Sequence, residues 1–317
     1  MQAIVFGAGA VGGYIGAKLI ASGADVSFIA RGTRLKQLSE RGLVVQSPLG
    51  DSETPVRASE LPPPYLKPQV IVLACKAPAL AGAIATIAPC VGQDTRILPV
   101  LNGVRHLTIL QQAFPHNPIL GGIAHGAVTL APDGTTAHLS AFFSLIVGSL
   151  SGERDAVAQN LVERLATASL DARLSADIHQ DLWSKFVFLT TLAGMTCLMR
   201  ANVGTIMATK EGPRLARQLF NECLAVAKKE DRAIEPRGKA AYLDVLTKSG
   251  SSLTSSMLRD VERGRRTECD HILGDMLCRA KSHGLDTPVL KICLAHLACY
   301  EAGLVSQNET HRHHAAD

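Results

Sequence analysis

The fold of this chain is decided by the stretch Ala3-Ile4-Val5-Phe6-Gly7-Ala8-Gly9-Ala10-Val11-Gly12-Gly13. A short apolar run leads into a glycine-rich turn, and an apolar helical segment over residues 14–22 follows. This order is typical of a βαβ unit that binds a dinucleotide. Gly7 permits the tight turn, Gly9 lets the backbone approach a pyrophosphate, and Gly12 allows the helix to pack closely on the strand. We therefore predict a dinucleotide site in the turn formed by Gly7, Ala8, Gly9, Ala10, Val11 and Gly12.

The residue after the second predicted strand indicates which dinucleotide binds. In an NAD-binding chain an Asp or Glu about 20 residues beyond the glycines accepts a hydrogen bond from the ribose 2′-hydroxyl. Here Arg31 follows the strand at 25–30, and no acidic residue occurs until Glu40. Because a guanidinium forms charge-assisted hydrogen bonds with a phosphate, Arg31 favours NADPH. A glycine turn without a ligand and an ordinary surface arginine are the alternatives.

The two halves of the chain have different hydrophobic periods. Short β-rich runs separated by helical segments in the first half predict a parallel sheet covered on both faces. Asp133-Gly134 lies between the last runs and favours an antiparallel extension at the sheet edge. Beyond residue 176 apolar residues recur every three or four positions, which predicts helices. We expect an α/β domain over 1–176 and an all-helical domain over 177–317. The predicted strands are 3–6, 25–30, 43–46, 70–75, 96–101, 119–128, 135–139 and 143–148.

Composition excludes several classes of protein. With 47% hydrophobic and 19% charged residues the chain is typical of a soluble globular protein, and its net charge of +4 is too small to indicate nucleic-acid binding. Its eight cysteines include no CxxC pair, so we interpret them as reduced core residues of a reducing compartment. No basic leader and no apolar run of about 18 residues is present. We expect a cytoplasmic protein without a membrane partner, and no metal at the terminal His311, His313 and His314, which lack a ligand set.

Short motifs spread over nearly the whole chain resemble those of one family, the ketopantoate reductases (2-dehydropantoate 2-reductases). The resemblance implies an N-terminal Rossmann-type domain, a helical second domain, and NADPH-dependent reduction of a 2-oxo acid. Its specific form is conversion of 2-dehydropantoate to pantoate in pantothenate biosynthesis. Besides the glycine turn, the motifs are Arg31-Gly32, Cys75-Lys76-Ala77, Leu101-Asn102-Gly103-Val104, His125-Gly126-Ala127, Leu182-Trp183-Ser184-Lys185-Phe186, Ser255-Ser256-Met257-Leu258-Arg259-Asp260 and Arg266-Thr267-Glu268-Cys269-Asp270.

The motif matches also imply residue roles. Cofactor contacts are implied at Lys76, Asn102, Ala127 and Glu268, substrate contacts at Asn102, Lys185 and Ser256, and the catalytic acid is Lys185. Lys76 and Asn102 each follow a predicted strand, where open α/β sheets bind ligands, although Asn102-Gly103 is equally compatible with a simple turn.

The chemistry of Lys185 can be considered without the family. A hydride that reaches a ketone carbon leaves an alkoxide, so a proton donor must lie within hydrogen-bond reach of that oxygen. An ammonium suits this role, and partial burial beside Trp183, Phe186 and Phe188 is expected to lower its pKa towards neutrality. A solvated lysine on an amphipathic helix is the alternative.

Ser256 and Glu268 predict a break in a helix. Twelve residues of one straight helix would place them about 18 Å apart, which is too far to serve one small substrate and its nicotinamide ribose. We expect the break at Gly264, with Thr267 capping a new helix that begins near Glu268. The alternatives are a helix-capping hydroxyl for Ser256 and a first-turn acid favoured by the helix dipole for Glu268.

The predicted substrate side departs from the family pattern. The family carries Asn one and two turns after the catalytic lysine, whereas this chain has Leu189 and Ala193 on that helical face. A substrate hydroxyl would lack partners there, so a paralogue that reduces a different, more apolar 2-oxo acid is an alternative. A non-catalytic NADP(H)-binding sensor is another. Asn202 is offset by one position from a further family Asn and receives no role, and an apolar helix over 287–304 could supply a homodimer surface.

Overall fold

A computed structural model describes residues 1–63 and 65–314, with side chains as far as residue 304. The chain divides into two compact units, Met1–Leu182 and Trp183–Asp317. The division falls inside one long helix, Ile178–Met199.

The first unit is built on a five-stranded parallel sheet in the order β5-β2-β1-β6-β7. Buried residues run consecutively along its central strands, as expected for a sheet with both faces covered. Phe6 pairs with Ile29 and with Leu73, and Leu73 pairs with Pro99, so four strands end in register. The strands are β1 Gln2–Phe6, β2 Asp25–Ile29, β5 Arg57–Ser59, β6 Val70–Leu73 and β7 Arg96–Pro99, and the helices between them are α1 Ala10–Ala21, α2 Gly32–Arg41, α3 Leu80–Ile87 and α4 Arg105–Ala113.

The predicted antiparallel extension is the hairpin of a second, mixed sheet in the order β10-β9-β3-β4, in which β8 pairs antiparallel with β9. The turn predicted at Asp133-Gly134 joins the two hairpin strands, and Gly134 adopts a positive φ of 90°. The predicted strand at 43–46 belongs to this sheet rather than to the parallel one, because it pairs with β4 and β9. Its elements are β3 Leu43–Gln46, β4 Ser52–Thr54, β8 Leu120–Leu130, β9 Thr136–Ser149 and β10 Asp171–Leu174, with α5 Ala156–Thr167 before β10.

The strands predicted at 135–139 and 143–148 are two parts of the single strand β9. Gly126 pairs with Phe143 and Val128 pairs with His138, so residues 139–142 of β9 lie opposite the single residue Ala127. This bulge explains why the alternation of apolar and polar residues is interrupted there. The extra residues of β9 change which residues of the two strands lie opposite each other.

The second unit is helical throughout its described part, as predicted. The long helix α6 is apolar and long enough to cross a membrane, but 67% of its most apolar window is buried within the protein, as in a core helix. The carboxylate of Glu222 accepts hydrogen bonds from the backbone N–H groups of Val289 and Leu290 and so caps the last helix. The helices are α6 Ile178–Met199, α7 Val203–Met207, α8 Gly212–Lys229, α9 Pro236–Leu246, α10 Ser256–Glu262, α11 Asp275–Ser282 and α12 Pro288–His314, and a π-helical turn, Asp270–Gly274, precedes α11.

Candidate functional site

The glycine turn between β1 and α1 has the geometry of a dinucleotide cradle. Gly7 adopts a φ of +93°, and a Cβ there would lie 2.9 Å from the backbone carbon of Ala74. At Gly12 a Cβ would lie 2.1 Å from the carbonyl oxygen of Gly7. At Gly9, by contrast, no described residue other than its two chain neighbours has an atom within 4 Å of such a Cβ. Packing therefore requires glycine at two positions, and the third is open towards the space that a ligand would fill.

The start of α1 fits the phosphates of such a ligand. The helix begins at Ala10, directly after the turn, and its first turn, all of it described, carries no acidic side chain. The first backbone N–H groups of a helix have no intrahelical acceptor, and the helix dipole attracts anions there. A pyrophosphate is therefore compatible with this end of α1.

Three further predicted residues lie at the same edge of the parallel sheet. Arg31 follows β2, Lys76 follows β6 and Asn102 follows β7, and these strands end in register with β1. Lys76 directly precedes a short 3₁₀ turn, and Asn102 is half-buried. Ala127 lies elsewhere, on β8 in the second sheet opposite the bulge of β9, where it is exposed. The structure thus gathers the turn, Arg31, Lys76 and Asn102 at the edge where α/β folds bind nucleotides.

Three hydrogen bonds from two arginines near this edge do not follow from any sequence pattern. Arg34 donates from Nε to the carbonyl of Ala8 at 2.6 Å and from Nη1 to the carbonyl of Gly134 at 2.6 Å, and burial lowers its pKa. Arg31 donates from Nη2 to the hydroxyl of Thr86 at 2.8 Å. Because the partners lie 26 to 100 residues away along the chain, no local pattern indicates these contacts.

In the second unit, Lys185 lies on α6 in the environment expected of a proton donor. The side chain is half-buried, and the residues Trp183 and Phe186 next to it in the sequence of α6 are buried, with ring centroids 5.4 Å apart. Burial lowers the pKa of Lys185 to about 8, and the carboxylate of Glu268 partly opposes that shift. The structure therefore brings the charges of Lys185 and Glu268 close together.

The indole ring of Trp183, two positions before Lys185 on α6, is held by charged groups. The guanidinium of Arg279 lies 5.2 Å from the centre of the Trp183 ring. It donates to Glu230 at 2.5 Å and to Asp275 at 3.1 Å. A cation stacked on an aromatic ring and fixed by two carboxylates stabilises the ring's position.

The predicted break between Ser256 and Glu268 is confirmed. The helix α10 ends at Glu262, and Gly264 adopts a φ of +62°. The hydroxyl of Thr267 accepts from the backbone N–H of Cys269 at 3.2 Å, which matches the capping role predicted for it. Glu268 therefore directly precedes a new helical segment, which begins at Cys269, and does not extend α10.

Ser256 is not the cap of α10, because the neighbouring Ser255 performs that function. The hydroxyl of Ser255 is buried, accepts from the backbone N–H of Leu258 at 3.0 Å and contacts the hydroxyl of Thr196 at 2.8 Å. Ser256 is exposed at the first position of the helix. The capping alternative for Ser256 is wrong, and its hydroxyl is accessible to a ligand.

The substrate-side positions Leu189 and Ala193 follow Lys185 at spacings of four residues on the continuous helix α6, so they share its face. Leu189 is half-buried and Ala193 is fully buried. Asn202 has a structural contact: its side-chain oxygen accepts from the backbone N–H of Thr205 at 2.8 Å and caps α7.

No cluster of three metal-ligating side chains occurs among the described residues. The prediction for the terminal histidines is not tested, since the side chains of His311, His313 and His314 lie outside the described residues.

Together, a dinucleotide-type α/β unit and a helical unit with a half-buried lysine define a class of two-unit oxidoreductases. The family model "Ketopantoate reductase PanE/ApbA" matches residues 3–152, and its C-terminal counterpart matches residues 177–301. The chain belongs to the ketopantoate reductase family.

Two curated relatives span nearly the whole chain. The uncharacterized oxidoreductase YkpB of Bacillus subtilis is 35% identical over 95% of this chain and 99% of its own length. A 2-dehydropantoate 2-reductase of Mesorhizobium japonicum is 30% identical over 93% of this chain and 96% of its own length.

Two solved structures share the fold. A ketopantoate reductase of the PanE/ApbA family from Ralstonia eutropha has a TM-score of 0.88 at 22% identity and covers 96% of this chain and 99% of its own. A D-mandelate dehydrogenase solved with NADH and anilino(oxo)acetate has a TM-score of 0.87 at 24% identity, with the same coverage of 96% and 99%. The predicted fold class is confirmed by these structures.

Proposed function

We propose that this chain catalyses the NADPH-dependent reduction of a 2-oxo acid to a 2-hydroxy acid, with 2-dehydropantoate as the first candidate substrate. The observation that carries the proposal is the half-buried Lys185, whose pKa is lowered to about 8 beside Glu268. A lysine with this pKa is a general acid that is charged at neutral pH and yet able to release its proton. The relative from Mesorhizobium japonicum, a 2-dehydropantoate 2-reductase, supports the choice of substrate.

The residues of the first unit would hold the cofactor. The turn from Gly7 to Gly12 and the start of α1 offer backbone N–H groups to its pyrophosphate, and Arg31 offers a guanidinium to the 2′-phosphate. Lys76, Asn102 and Ala127, with Glu268 of the second unit, are proposed as further cofactor contacts. When bound, NADPH supplies the hydride.

The residues of the second unit would serve the substrate. Lys185 donates a hydrogen bond to the ketone oxygen, stabilises the negative charge that develops there, and transfers its proton to give the hydroxyl. The amine left behind regains a proton from solvent. Ser256 offers an exposed hydroxyl to the substrate, and Asn102 is proposed as a further substrate contact.

A second candidate substrate is a 2-oxo acid with an apolar side chain. Leu189 presents hydrocarbon on the face of α6 that carries Lys185, and a substrate hydroxyl facing it would lose its hydrogen bonds to water without replacement. Ala193, on the same face, is fully buried and offers no polar group. The similar fold of D-mandelate dehydrogenase has been solved with anilino(oxo)acetate, so such a fold accommodates an oxo acid with an aromatic substituent.

We place the protein in the cytoplasm, with a small 2-oxo acid as its partner. The eight cysteines, all within the described residues, are free thiols, which suits a reducing compartment. A homodimer through the apolar helix at 287–304 stays a prediction.

The test is NADPH oxidation by the purified protein against a panel of 2-oxo acids, repeated with Lys185→Ala. We expect the variant to lose about 10² to 10⁴ in kcat while its affinity for NADPH is retained. Lys281→Ala, at an exposed lysine of α11, is the matched control and should keep full activity.

The outcomes separate the candidates. Efficient turnover of 2-dehydropantoate would support the first substrate, whereas preferred turnover of 2-oxo acids with apolar side chains would support the second. Tight NADPH binding without turnover of any 2-oxo acid would overturn the catalytic proposal in favour of a sensor.

A further inference from the structure

Thr86 lies near the end of α3 and makes two hydrogen bonds through one hydroxyl. Its Oγ1 lies 2.7 Å from the carbonyl oxygen of Gly82 and 2.8 Å from Nη2 of Arg31. The residue is 8% exposed, while Arg31 is exposed at the start of α2. An exposed cation is thus attached to a buried hydroxyl that lies 55 residues further along the chain.

The direction of both hydrogen bonds follows from the groups involved. The Gly82 carbonyl can only accept, so the single hydroxyl proton of Thr86 is donated to it. The lone pairs of the oxygen therefore face Arg31, which can only donate. The hydroxyl cannot turn its proton towards Arg31 without breaking its hydrogen bond to the Gly82 carbonyl. Thr86 therefore presents a fixed acceptor to the guanidinium.

This contact leaves Arg31 able to bind a phosphate. A guanidinium has two edges that each offer a pair of parallel N–H donors, and the two hydrogens of Nη2 belong to different edges. Whichever hydrogen Thr86 accepts, the other edge is complete. A long arginine side chain normally loses rotamer freedom when it binds a ligand, and a side chain already held in place loses less.

We propose that Thr86 is a positioning residue that holds Arg31 ready for the 2′-phosphate and thereby sets the preference for NADPH over NADH. The inference rests on the proposed NADPH-dependent function. Thr86 does not touch the cofactor in this scheme, since it acts through Arg31. NADH lacks the 2′-phosphate, so its binding should be insensitive to the contact.

The experiment measures the Kd and the kcat/KM for NADPH and for NADH in the wild type and in Thr86→Val, Thr86→Ser, Arg31→Ala and the double variant. Valine keeps the β-branched shape and removes the acceptor, whereas serine keeps the acceptor. We expect Thr86→Val to weaken NADPH binding about five-fold, the loss of one ordinary hydrogen bond, with NADH constants unchanged. Thr86→Ser should keep the wild-type ratio of NADPH affinity to NADH affinity. In the double variant, Thr86→Val should cause no further loss of NADPH affinity beyond that of Arg31→Ala.

Two results would overturn the inference alone: loss of NADPH preference in Arg31→Ala but not in Thr86→Val, or equal weakening of both cofactors by Thr86→Val. Thermal unfolding of each variant checks that the helix is intact. If the wild type binds NADH as well as NADPH and Arg31→Ala changes neither, the proposed cofactor falls, and the role of Thr86 falls with it.

Discussion

The glycine turn of the first unit and the Lys185 region of the second unit build function in opposite ways. The turn is one continuous stretch, and its chemistry comes from backbone N–H groups and from the absence of side chains at Gly7, Gly9 and Gly12. The Lys185 region draws on separate segments, since the carboxylate of Glu268 acts on the ammonium of Lys185 on α6, and its proposed chemistry comes from individual side chains. In the proposed scheme, cofactor binding is therefore tied to the fold, whereas the choice of substrate depends on single side chains.

The largest expected effect comes from substitutions within the glycine turn, which test whether its glycines serve packing or ligand binding. Gly12→Ala should destabilise the first unit by about 3 kcal/mol or more, because its Cβ would lie 2.1 Å from the carbonyl oxygen of Gly7. In Gly9→Ala the added Cβ meets no described residue other than its chain neighbours within 4 Å, so the change should leave stability unchanged and weaken dinucleotide binding. Thermal unfolding with and without NADPH separates the two effects.

The same two variants also test where the pyrophosphate lies. A destabilised Gly9→Ala, or one that binds NADPH normally, would show that the open space at Gly9 is not where the pyrophosphate lies.

The second prediction concerns pH and tests the Lys185 region. Burial disfavours the charged ammonium, so its pKa is lowered to about 8, and Lys185 carries its proton below that value. Because reduction uses the proton, kcat/KM for the 2-oxo acid should be constant at lower pH and fall about tenfold for each pH unit above about 8. Oxidation of the 2-hydroxy acid needs the neutral amine and should show the opposite dependence. A kcat/KM for reduction that rises through this range would contradict the role of Lys185 as the acid.

The third prediction tests whether the substrate changes with one side chain. Leu189→Asn adds hydrogen-bonding groups on the face of Lys185 and should raise kcat/KM for 2-dehydropantoate relative to apolar 2-oxo acids by about tenfold. Leu189→Met keeps the position apolar and is the matched control. An unchanged ratio in Leu189→Asn would place residue 189 outside the substrate's surroundings.

The smallest expected effect distinguishes two adjacent serines. Ser255→Ala removes the cap of α10 and should cost about 1 kcal/mol of stability. Ser256→Ala should leave the free energy of unfolding unchanged and raise KM for the 2-oxo acid. Denaturant unfolding measures the free energy of unfolding of the two variants, and steady-state kinetics measure their KM. A raised KM in Ser255→Ala together with a loss of stability in Ser256→Ala would assign the substrate role to Ser255.

The same contrast explains what the sequence could predict. The turn, the strand ends that present Arg31, Lys76 and Asn102, and the break at Gly264 depend on local patterns, and the structure agrees with them. The second sheet and the bulge opposite Ala127 depend on pairing between distant strands, which hydrophobic periodicity does not encode.

Local sequence patterns also do not encode side-chain contacts between distant segments. The sequence Ser255-Ser256 offers two equivalent hydroxyls, and only packing against Thr196 decides which one is buried. The contact of Arg31 with Thr86 likewise depends on how α3 lies on the sheet. Lys185 was predicted from the motif Leu182-Trp183-Ser184-Lys185-Phe186, which is one continuous stretch and so requires no knowledge of distant contacts.

Trp183 gives the molecule a built-in optical reporter. It is the one tryptophan among 317 residues, it is buried, and it lies two positions from Lys185 under the guanidinium of Arg279. Indole emission therefore originates from a single, defined environment, and reduced nicotinamides absorb light in the range where indole emits. Quenching of the native fluorescence would follow binding of the proposed cofactor without a label, and a shift of its emission maximum would report water entering beside α6.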